Sequence, residues 1–144
     1  MPFSISQEMM REIIMDHYSN PRNKREANDD RYQTVYMDST SCTDKIYIQA
    51  LVENNIVKDV CWHGVGCAIS TASTSIMSEL LLGKSVEDAN YILKNYLQMI
   101  NEKPYDQEVL DEAIVFMNTS RQPARIKCAT IGWNGMNKIL KGDK

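Results

Sequence analysis

Apolar residues recur at helical spacing over residues 6–18. Met9, Met10, Ile13, Ile14 and His17 fall on one face behind Ser6, a good N-cap. Asn20-Pro21 ends this pattern, because the residue before proline avoids helical angles. Residues 20–30 are polar and read as loop. The period then changes to two. Residues 31–38, 45–52 and 56–62 read as strands, and Ile46, Ile48, Ala50 and Val52 line one face of the second. Glu53-Asn54-Asn55 is a tight turn, since asparagine tolerates positive φ. From residue 69 the period is helical again. Residues 69–82 form a helix closed by Gly83, and Ser85 with Asp88 caps the start of a second over 86–100. Residues 106–118 make another, and a last helix runs from about Pro123 to Leu140, with proline at its start.

These elements predict an α+β fold in which a three-stranded antiparallel sheet packs against several helices. There is no repeat and no low-complexity linker, so residues 1–144 are expected to form one domain. With 43% hydrophobic and 24% charged residues, the composition suits a packed core without disulfide staples. The net charge of −3 argues against nucleic acid as partner. No apolar run is long enough for a membrane span, and Glu8, Arg11 and Glu12 interrupt what would be a signal sequence, so a cytoplasmic location is expected.

The four cysteines carry the candidate chemistry. In an up-down-up meander, the turn after strand one and the end of strand three lie at one end of the sheet. Cys42 and Asp44 occupy the first place, and Cys67 the second, behind Gly64 and Gly66. Three possible metal ligands therefore converge. Cys67 also precedes a helix, whose N-terminal field favours a thiolate. In the last helix Arg125 and Cys128 share a face one turn apart, with Arg121 joining them only if the helix reaches back past Pro123. Three thiolates and a carboxylate suit zinc, and sulfur donors also suit iron–sulfur clusters. Spacing alone is weak support, because the chain has no C-x-x-C pair.

Several segments resemble the SufU type of iron–sulfur assembly protein within the IscU-like family. They are His17-Tyr18-x-Asn20-Pro21-Arg22-Asn23, Cys42-x-Asp44, Gly64-x-Gly66-Cys67-Ala68-Ile69-Ser70-x-Ala72-Ser73 and Arg125-Ile126-Lys127-Cys128-Ala129-x-x-x-Trp133. The resemblance implies zinc held by Cys42, Asp44, Cys67 and Cys128. It implies that Cys42 accepts persulfide sulfur from a SufS-like cysteine desulfurase, which supplies a histidine to replace Cys42 on zinc, and that sulfur passes on to downstream iron–sulfur assembly proteins. The alternative is a scaffold that assembles a [2Fe–2S] cluster on Cys42, Cys67 and Cys128 and hands it on. The IscU branch has histidine before the last cysteine, where this chain has Lys127, and the family usually has glycine where this chain has Thr43.

Other residues invite blander readings. Cys61 alternates with Val60 and Trp62 and is expected to be a structural or surface thiol. His63 is at most a substitute ligand. His17 belongs to the apolar face of the first helix, and the nine methionines read as core and interface filler. Arg125 is either a solvated charge or, given its position before Cys128, a residue for partner docking or site electrostatics.

Overall fold

The computed structural model describes residues 6–39 and 44–142. Helix α1 spans Gln7–Ser19, with Ser6 accepting the Met9 N–H at 3.1 Å. Met10 and His17 are buried, whereas Met9 stays exposed, so the apolar stripe is narrower than its sequence suggests.

Strands β1 (Gln33–Asp38), β2 (Lys45–Glu53) and β3 (Ile56–Val65) form an antiparallel sheet in sequence order. Asn54 and Asn55 both take positive φ in the β2–β3 turn, which suits the twist of a two-residue hairpin. One face of the sheet is core, carrying Val35, Ile46, Ile48, Ala50, Val60 and Trp62. Val52 is only half-buried, because a register shift between Leu51 and Val52 breaks the alternation and buries Leu51. The other face carries a cross-strand row of Tyr36, Tyr47 and His63, with Tyr47 and His63 stacked at 4.8 Å. Strand β3 runs three residues past its expected end.

The polar segment after α1 is not a free loop. It runs beside β3, where Trp62 N–H donates to the Asn23 carbonyl at 3.0 Å and Arg25 N–H to the Trp62 carbonyl at 2.8 Å. Further on it covers Gln49, which exchanges hydrogen bonds with the Ala27 backbone. This cover explains why Cys61, opposite Gln49, is fully buried with its thiol 3.6 Å from Gln49 Oε1.

Helix α2 (Ala68–Leu81) lies at the centre of the helical layer, and even its Ser70, Thr71, Ser73, Thr74, Ser75 and Ser78 are buried. Helix α3 (Val86–Ile100) starts at Ser85, which accepts the Asp88 N–H at 3.0 Å. The helix expected at 106–118 is instead a 3-10 segment, Gln107–Phe116, broken at Asp111, where φ is 45°. A short 3-10 turn, Thr119–Arg121, precedes α4 (Pro123–Leu140), which leaves Arg121 off that helix.

Helix α4 packs on both α2 and the sheet. At Gly132 a Cβ would meet Thr74 Oγ1 at 2.6 Å, so only glycine permits this closeness. A buried polar knot locks the same contact. Trp133 Nε1 donates to Ser73 Oγ at 2.9 Å, and Ser73 Oγ and Tyr96 Oη donate to the Ala129 carbonyl at 2.6 and 2.7 Å. The Tyr96 and Trp133 rings stack at 3.7 Å. Ala129 adjoins Cys128, so this knot fixes the height of Cys128 against α2.

Candidate metal centre

The register levels the ends of all three strands. Asp38 pairs with Lys45, and Lys45 with Val65. Asp44 and Cys67 lie just beyond this line, from β2 and β3 respectively, and α4 delivers Cys128 from the helical layer. One donor atom from each of Asp44, Cys67 and Cys128 lies within 4.8 Å of the others. Asp44 and Cys128 are buried and Cys67 is half-buried, so the site reaches the surface through Cys67. Cys42 and Thr43 lie outside the described residues.

Cys67 is itself the N-cap of α2, and its sulfur accepts the Ser70 N–H at 3.4 Å. Asp44 completes the helix start from outside. Its Oδ1 accepts the Cys67 N–H at 3.0 Å and the Ser70 hydroxyl at 2.8 Å. These bonds satisfy amide groups that a helix terminus leaves open. The other oxygen, Asp44 Oδ2, is buried and has no hydrogen-bond partner among the described residues. Buried carboxylate oxygens rarely stay unpaired, so this one marks a place for a cation. Burial opposes the Cys67 thiolate, as does Asp44. Hydrogen bonds from Ser70 and Cys128 outweigh them and bring the Cys67 pKa below the ordinary thiol value. A carboxylate oxygen without a partner beside a favoured thiolate and a second sulfur fits a thiophilic divalent metal such as zinc.

The other sequence candidates divide. Arg125 is exposed on the first turn of α4, three residues before Cys128, and makes no ion pair among the described residues. His63 belongs to the outer row of the sheet, stacked on Tyr47. Cys61 sits in the covered strand face with Gln49 and is not among the three converging donors. A second group, His17 with Glu79 and Glu112, also brings donor atoms within 4.8 Å. There His17 is already satisfied, with Nδ1 at 2.7 Å from Ser75 Oγ and Nε2 at 3.0 Å from Glu112 Oε1. It bridges three segments and acts as a structural tie. Ser70 belongs to the Gly64-x-Gly66-Cys67-Ala68-Ile69-Ser70 run, and the sequence assigns it no role of its own. Its signal is positional, since the third residue of a helix can reach back to the cap.

The family described as the NifU-like N-terminal domain matches residues 9–129. The chain belongs to this family. It is 39% identical over 131 residues to the zinc-dependent sulfurtransferase SufU of Bacillus subtilis, covering 90% of this chain and 88% of that one. It is 32% identical over 133 residues to the iron–sulfur cluster assembly scaffold protein IscU of Thermotoga maritima, covering 92% and 93%. The crystal structure of a SUF-system iron–sulfur assembly scaffold protein from Fervidobacterium islandicum AW-1 superposes with a TM-score of 0.85 at 30% identity, covering 90% of this chain and 94% of that one. The SufU-like and IscU-like resemblance read from the motifs is therefore correct. No helix among the described residues is long and apolar enough to cross a membrane.

Proposed function

We propose that this NifU-like protein is a zinc-dependent sulfur acceptor in iron–sulfur cluster assembly, with Cys42, Asp44, Cys67 and Cys128 as metal ligands and Cys42 as the acceptor. The observation that carries the reading is the convergence of Asp44, Cys67 and Cys128 around a buried carboxylate oxygen that lacks a partner among the described residues. The 39% identity to a zinc-dependent sulfurtransferase supports it. A bound zinc ion holds its thiolate ligands deprotonated and brings no redox chemistry of its own.

The chemistry then belongs to the thiols. The Cys42 thiolate attacks the outer sulfur of a persulfide on a cysteine desulfurase. The persulfide S–S bond breaks, the partner's cysteine leaves as a thiolate, and Cys42 becomes the persulfide, with no net oxidation. Asp44 and Cys67 hold the end of the sheet in place. Arg125, exposed one turn before Cys128, offers a planar cation to a carboxylate on the docking desulfurase. Sulfur passes from Cys42 to downstream assembly proteins.

A second reading is favoured by the IscU relatives. The same donors would carry a [2Fe–2S] cluster as cargo, assembled here and handed on. Elemental analysis and an absorption spectrum of protein purified without added metal separate the two. One colourless zinc per chain, with stimulation of desulfurase turnover, supports the acceptor. A brown, iron- and sulfide-containing product without such stimulation overturns it in favour of the scaffold.

A further inference from the structure

The fully buried Ser70 hydroxyl reaches across from α2 to the carboxylate that precedes β2. Among the described residues Asp44 Oδ1 takes two donors, the Ser70 hydroxyl at 2.8 Å and the Cys67 N–H at 3.0 Å, while Oδ2 takes none. The two oxygens of one carboxylate are thus assigned different work. The Ser70 N–H also points at the Cys67 sulfur, at 3.4 Å. Gly66 completes the cradle. A Cβ there would stand 2.4 Å from Ser70 Oγ and 3.2 Å from Asp44 Oδ1, so any side chain at that position displaces the hydroxyl.

We propose that Ser70 is a positioning residue for the metal centre: it fixes the Asp44 carboxylate so that Oδ1 is consumed inside the protein and Oδ2 alone is presented to the metal. This rests on the ligand set proposed above and adds the group that orients its one oxygen ligand. Hydrogen-bonded partners of ligands set ligand orientation and basicity, and losing one costs about 10- to 100-fold in metal affinity. A carboxylate released from Ser70 could rotate or bind through both oxygens, which changes the geometry around the metal as well as the affinity.

The test is a double-mutant cycle read by zinc affinity, using a competing chelator and the full-length chain. The four proteins are wild type, Ser70→Ala, Asp44→Asn and the double variant. Asparagine keeps an oxygen to accept from Ser70 and Cys67 but removes the Oδ2 ligand. Ser70→Ala is expected to weaken zinc about 10- to 100-fold with Asp44 present and less than about threefold in the Asp44→Asn background. Cobalt(II)-loaded Ser70→Ala is expected to keep its thiolate charge-transfer bands and to shift its d–d bands, which a merely structural role would not do. An equal loss in both backgrounds, or no loss with Asp44 present, overturns the proposal. If Ser70→Ala fails to fold, Gly66→Ala is the substitute, and unchanged zinc affinity in that variant overturns the proposal equally. The ligand reading fails separately, if Asp44→Asn itself leaves zinc affinity unchanged. A weakened Asp44→Asn protein beside an unaffected Ser70→Ala protein sinks the role of Ser70 alone.

Discussion

The Cys67 N–H donates to Asp44 Oδ1 at 3.0 Å, so one proposed metal ligand caps the helix that begins at another. The two residues are far apart in sequence and come from the starts of β2 and α2. Their bond couples the fold of this corner to its chemistry. Asp44→Ala should therefore do two things. Loss of the cap should cost the zinc-free protein about 1 kcal/mol, seen as a lower denaturant midpoint. Loss of the oxygen ligand should weaken zinc by more than the roughly 10- to 100-fold expected for an outer partner, seen in chelator competition. Unchanged zinc affinity would reduce Asp44 to a capping residue.

Thiol reactivity in the zinc-free protein should follow burial and hydrogen bonding. The Cys67 pKa is lowered, so its folded form loses the proton first. The resulting stability is present above the unfolded thiol value and disappears as pH falls through the lower folded one. Cys61 is the opposite case. Burial pushes its thiol up, against the opposing influence of Arg25. Its contribution is present below the unfolded value and is lost as pH rises through the folded one. Alkylation followed by peptide mass spectrometry should label Cys67 at a lower pH than a free thiol and leave Cys61 unlabelled until the protein unfolds. Early labelling of Cys61 would contradict its burial.

The polar knot behind Cys128 should be graded. Tyr96→Phe removes one donor to the Ala129 carbonyl and keeps the stack on Trp133, for a cost of about 1 kcal/mol. Ser73→Ala also leaves the Trp133 N–H without its acceptor, and should cost about 1–3 kcal/mol more than an apolar swap of similar size. Chemical denaturation of each variant checks the order. A Tyr96→Phe protein less stable than Ser73→Ala would show that the tyrosine hydroxyl, not the serine, carries the contact.

Much of this was legible in the sequence. Ser6, Ser85, Asn54-Asn55 and Gly83 all act through local backbone chemistry, and each appears where its residue type predicts. The convergence of Asp44 and Cys67 followed from meander topology alone. What escaped depends on distant partners. Residues 20–30 look like solvent loop because their side chains are polar, yet their backbone pairs with Trp62. The serines and threonines of α2 suggest an exposed face. They are buried, and three of the serines bond across to other segments: Ser75 to His17, Ser73 to the Ala129 carbonyl and Ser78 to the Arg22 carbonyl. The break at Asp111 has no proline or glycine to announce it, and the length of β3 was hidden by glycine at position 64.

Arg125→Ala should keep the fold and the zinc, since arginine is no ligand and this one is exposed. It should lower the stimulation of desulfurase turnover at a given protein concentration, because arginines often carry interface affinity. Arg125→Lys should restore only part, as a point charge lacks the bidentate fork. Full stimulation by the alanine variant would return Arg125 to an ordinary solvated charge. Loss of zinc with activity would place it in the electrostatics of the site.

The most direct test of the central claim is mass spectrometry of the protein after incubation with a cysteine desulfurase and cysteine, without reductant. The account predicts one added sulfur per chain, located on the peptide that contains Cys42 and absent from Cys42→Ala, with Cys61→Ser behaving like wild type. Sulfur found on Cys61, or still bound in the Cys42→Ala protein, would contradict it.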